Sequence, residues 1–159
     1  MWAVEIEGVK LTSPNRVRFV SREGMLANAR RVATERAGAA SGLAFAWQKK
    51  GGRVGAGQRK AGKKIVFFPL LKSVPFPVIV TCTRISPGSF DKHDNAVSCF
   101  KNFVDGIADA LGIRDNDKRV TWRYAQEKSK PGRYAMRITL ERQAVAEDAA
   151  VLVPPEAHV

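Results

Sequence analysis

The sequence predicts an α+β domain, with a mixed β-sheet and two main helices packed on one of its faces. Three observations carry that expectation. Strand-like alternation stands near both ends of the chain and in a central apolar block, two helix-like stretches separate these blocks, and nothing repeats or reads as an interdomain linker. A chain of 159 residues suits one domain and can bury a core without a metal or disulfide staple. One domain is expected over 1–142, followed by a tail over 143–159 with no clear periodicity.

The elements follow in order. Residues 2–11 place Trp2, Val4 and Ile6 on one side and Glu5 and Glu7 on the other, as a strand with one wet face does. Ser13-Pro14-Asn15 breaks it. Residues 24–47 are rich in Ala and Arg and predict a helix with basic stripes, weakened in its second half by Gly38 and Gly42. Residues 49–64 hold five Gly and seven Lys or Arg and read as a flexible basic loop. Two strands are expected over 65–71 and 76–85, with Pro69 and Pro77 placing each at an edge or delaying its start. Over 94–112, Val97, Phe100, Val104, Ile107 and Leu111 recur at helical steps within an arc of about 80°, and Gly112 suits the C-cap. Residues 119–128 and 133–142 alternate cleanly and, joined by Ser129-Lys130-Pro131-Gly132, predict an antiparallel hairpin.

Charge narrows the function classes. The formal net charge is +12 and the pI about 10.2, which points to a polyanionic partner. The excess is local: residues 10–72 carry 15 Lys and Arg against Glu23 and Glu35 alone, whereas 91–117 hold six of the seven Asp. No run of 18 apolar residues exists, so no membrane-spanning helix is expected, and the acids near the N-terminus do not suit a secretory signal. Cys82 and Cys99 read as buried small hydrophobes of a reducing cytosol, and the Cys and His spacing makes no structural zinc site. Gly57 to Lys63 spells G-x4-G-K, but Lys64 stands where a hydroxyl is needed and a strand follows; no nucleotide cofactor is expected.

The chemistry-bearing set is Asp91, Asp94, Asn95, Lys101, Asp105, Asp115 and Asp117. Two readings are open. These acids cap and solvate one helix, or they hold a hard divalent cation, which prefers oxygen ligands and pairs with substrate phosphates. Asp105 and Asp109 form an i,i+4 like-charge pair that asks for a cation or a basic partner. Lys101 and Asp105 fall about 20° either side of Asp94, on a line opposite the apolar stripe and therefore expected to face outward. Asp117 meets Asp94 only if the chain turns back or a second subunit contributes.

At these residues the sequence resembles the RusA-type Holliday-junction endonucleases, in their divergent phage and bacterial branch. Phe90-Asp91-Lys92-His93-Asp94-Asn95 looks like the entry to the family's Asp-x-Asp-Asn motif. Phe100 through Gly112 looks like its helix, and Asp115-Asn116-Asp117-Lys118-Arg119-Val120 like its acidic loop. The similarity covers about residues 76–142. Lys92 stands where the motif has an acid, and Asp91 lies one residue further away.

The resemblance implies a RusA-like fold, a homodimer and a Mg²⁺-dependent (or Mn²⁺-dependent) endonuclease acting on branched DNA in the cytoplasm, at the nucleoid. Asp94 and Asp117 match the metal-binding acids, with Asp91 and Asp115 as further ligands, and Lys101 matches the catalytic lysine. Asn95 and Asp105 support the motif. The expected grip on DNA comes from Arg30, Arg31, Lys49, Lys50, Arg53, Arg59, Lys60, Lys63 and Lys64. The alternative is a catalytically inactive relative that binds nucleic acid without cutting it.

Overall fold

A computed structural model describes residues 2–11, 22–88 and 96–143. The chain runs through β1 (Trp2–Glu7), α1 (Arg22–Lys49), β2 (Val54–Ala61), β3 (Lys64–Leu71), β4 (Val78–Ser86), α2 (Ala96–Leu111), β5 (Val120–Lys128) and β6 (Ala135–Arg142). Four strands form a mixed sheet in the order β1-β6-β4-β5, and β2 and β3 form a separate antiparallel pair. The architecture is α+β, as expected.

β4 is β-branched and apolar, and both of its edges are taken. β5 pairs with it in parallel, Val80 opposite Trp122, and β6 pairs antiparallel on the other side, Val80 opposite Leu140. The expected hairpin between the last two strands is therefore not formed. The reversal itself is real: Gly132 adopts φ +83° and the Arg133 amide donates to the Lys130 carbonyl. But the Ser129 amide donates to the Ser86 carbonyl, so the connection crosses the end of β4 before the chain returns. Six residues, 129–134, easily span two interstrand spacings of about 4.8 Å. The apolar central strand offers both returning strands a more buried edge than either offers the other.

Register assigns the faces. Val4, Ile138, Cys82 and Tyr124 lie in one row across the sheet and face the core. The next row, Glu5, Arg137 and Thr83, belongs to the opposite face, where Arg137 binds Glu5 at 2.9 Å and Glu127 at 2.6 Å. Helix α2 supplies Phe100, Phe103 and Ile107 to the core, and α1 supplies Ala39, Ala40 and Leu43. Gly106 sits at the crossing: a methyl group there would strike the Arg36 carbonyl and touch Ala39. Small residues thus let the two helix backbones approach closely. Cys82 and Cys99 are buried and not joined in a disulfide, as expected, and burial pushes the Cys82 thiol up to about 12.

Residues 54–61, expected within a flexible loop, form strand β2. Its glycines serve packing as well as turning. At Gly57 a Cβ would collide with the Phe68 ring directly opposite it, so the glycine leaves the space that this aromatic covers. Gly62 opens a two-residue turn at φ +61°, a conformation glycine adopts without cost.

Candidate metal residues and nucleic-acid interface

On α2 the acids do not face outward as the helical line suggested. Asp105 and Asp109 lie under α1 and β2, with side chains 21% and 13% exposed. Arg36 of α1 forks onto Asp109, Nε to Oδ2 at 2.6 Å and Nη2 to Oδ1 at 2.8 Å, and reaches Asp105 with Nη1 at 3.1 Å. Arg59 of β2 donates to the same Asp109 carboxylate at 3.1 Å. The hydrogen bond from Arg36 to Asp109, aided by both carboxylate charges, raises the guanidinium's pKa further still. The basic partner that the like-charge pair demanded comes from the first helix and the basic hairpin. Arg36 was not singled out from sequence, because its pairing spans more than 60 positions of chain.

Lys101 is 66% exposed and stands 3.8 Å from Asp105, so its ammonium remains in water. Past the end of α2, the loop is ordered by its own backbone. The Asp117 amide donates to the Arg114 carbonyl, the Val120 amide to the Asp117 carbonyl, and the Trp122 indole to the Asp115 carbonyl. Arg119 closes on both oxygens of Asp117, at 3.0 and 2.8 Å, and its amide adds a third bond at 2.9 Å. These bonds, the side-chain ones foremost, hold the Asp117 carboxyl well below its ordinary value, at about 2. Asp115 is exposed.

Asp115 and Asp117 follow the C-terminal end of α2, whose 16 residues place its start, Ala96, about 24 Å away. Asp91, Asp94 and Asn95 lie outside the described residues. Among the described residues, no three His, Cys, Asp or Glu side chains come together as a metal site. No helix there is long and apolar enough to cross a membrane.

The basic residues divide into two groups. Arg31 is held by Glu35 at 2.8 Å and by Asn28 at 2.9 Å, and Arg59 by Asp109, so both are engaged within the fold. Lys49 lies over the Phe45 ring, 4.8 Å from its centre. Arg30, Lys50, Arg53, Lys60, Lys63 and Lys64 are exposed and make no ion pair among the described residues. The last four mark the base and the turn of the β2–β3 hairpin. Glu35, the one buried acid of α1, spends its second oxygen on Asn102 at 2.7 Å. No family model, curated protein or solved structure matches the chain.

Proposed function

We propose that the protein is a Mg²⁺- or Mn²⁺-dependent endonuclease of the RusA type that cuts branched DNA as a homodimer, in the cytoplasm at the nucleoid. The charge layout carries the reading. A hairpin that exposes several cations and carries no acid stands beside a helix that bears Lys101 and ends in an acidic loop. The basic face holds phosphates, so binding falls steeply with salt. Asp117 is ionised at any pH near neutrality, the state in which a carboxylate serves a hard cation, and Asp115 adds oxygen donors on the same loop. Because the length of α2 separates the acidic loop from the chain preceding Ala96, Asp91 and Asp94 of the partner subunit would complete the ligand set in the homodimer, and Lys101 would meet the charge that develops on the scissile phosphate. A cation held there supplies Lewis acidity and a hydroxide at neutral pH.

One observation favours a second reading, a binder that does not cut. Arg119 already occupies both oxygens of Asp117, so this carboxylate must leave its arginine before it can take a metal. One experiment separates the two. Labelled four-way junctions are incubated with the purified protein, with and without Mg²⁺ or Mn²⁺. Metal-dependent nicking that disappears in Asp94→Asn and Asp117→Asn supports the endonuclease. Tight junction binding with no cleavage in either metal refutes it and leaves the binder.

A further inference from the structure

The β2–β3 hairpin has two unlike faces. On one, Arg59 is tied to Asp109 and Leu70 packs over Gly112, so this face is docked on the helical layer. On the other, Phe67 is 71% exposed and Ile65 57% exposed. Register places Gln58 opposite Phe67 and Lys60 opposite Ile65, on the same outward face. Leaving a phenyl ring in water forgoes the burial that ordinarily accounts for an aromatic in a strand. Among the described residues, no contact of the hairpin accounts for it.

The surrounding charge identifies what would cover this ring. Residues 36–90 contain ten Lys and Arg and neither Asp nor Glu. Lys60 flanks the apolar pair, Lys63 and Lys64 crown the turn, and Arg53 stands at the base, all exposed. A second copy docked face to face would bring these cations against their own counterparts, which like charge opposes. A nucleic acid satisfies both requirements, with phosphates for the lysines and a flat base for the ring. Bases within an intact duplex offer no free face, whereas those of a single strand or branch point do.

We infer that Phe67, supported by Ile65, is a stacking platform for an unstacked DNA base, and that Lys60, on the same face, and Lys63, in the turn, hold the adjoining phosphates. The inference deepens the nucleic-acid reading above and rests on it. It assigns the preference for branched or single-stranded DNA to an aromatic contact on the hairpin, separate from the acids of any cutting site.

The test is equilibrium binding without divalent metal, in EDTA, to a labelled single strand, a four-way junction and a plain duplex over a salt series. Phe67→Ala is expected to weaken single-strand and junction binding by about five- to 150-fold, with duplex binding changed less than about twofold. Its slope of log affinity against log salt stays at the wild-type value, whereas Lys60→Ala lowers that slope by about 0.7–0.9. Phe67→Trp retains affinity, and the emission it adds is quenched when DNA binds. Equal binding by Phe67→Ala and wild type overturns the inference while leaving the nucleic-acid reading intact. So does a wild-type dimer, read by size-exclusion chromatography, that Phe67→Ala converts to monomer without loss of DNA affinity. Failure of the wild type to bind any of the three DNAs overturns both.

Discussion

Replacing Arg36 by alanine tests what holds the two helices and the hairpin together. The guanidinium makes two bonds to Asp109 and one to Asp105, and all three side chains are less than a quarter exposed. A hydrogen bond to a charged group contributes about 1.5–3 kcal/mol, and partial exposure reduces each of these towards the lower end. The carboxylates are not orphaned on truncation, because Asp109 keeps Arg59 and Asp105 keeps Lys101 at 3.8 Å. Their mutual repulsion across one helical turn adds about 0.2–0.5 kcal/mol. The expected loss is about 2–3 kcal/mol. At a urea m-value of about 2 kcal/mol/M, this lowers the unfolding midpoint by about 1 M. A double-mutant cycle of Arg36→Ala with Asp109→Ala isolates the pair, with an expected coupling of about 2 kcal/mol that persists in 0.5 M salt. A coupling under about 0.5 kcal/mol, or one abolished by salt, would show that the cluster behaves as a surface ion pair and refute the reasoning.

Three further outcomes follow from the same contacts. Gly106→Val drives a side chain into the Arg36 carbonyl and should cost about 1–3 kcal/mol in thermal or urea unfolding, even though valine is a better helix former than glycine. Carboxyl NMR should place the Asp117 titration near 2, and Arg119→Gln should return it towards the ordinary carboxylate value. Because the folded carboxyl is depressed from 3.8, its contribution to stability is complete above that pH and is lost as pH falls from near 4 through about 2. Arg59→Ala should destabilise by about 1 kcal/mol yet leave the salt slope of DNA binding unchanged, since Asp109 already balances that charge.

Much of the fold was legible because periodicity is a local property. The α2 stripe is buried at Phe100, Val104, Ile107 and Leu111, and the strand runs 65–71 and 76–85 appear with shifts of one or two residues. Glycine misled at residues 54–61, because a sequence shows its lack of a side chain and not the Phe68 ring that lies across it. The helix line containing Asp105 was legible as a line, but its direction was not, since solvent was assumed where α1 and β2 stand.

The sequence by itself determined the element types outside residues 54–61, the basic stretch and the acidic window, all of which depend on residues close along the chain. Tertiary structure decided who pairs with whom. β4 takes the edges of both later strands because it is the most apolar surface available to each. Arg36 and Arg59 converge on Asp109 from 73 and 50 positions away because a half-buried carboxylate costs too much without a partner. Of the nine basic residues expected to grip DNA, that convergence withdraws Arg59, and Glu35 withdraws Arg31. The +12 fixes that a polyanion is attracted; packing selects which cations remain to meet it.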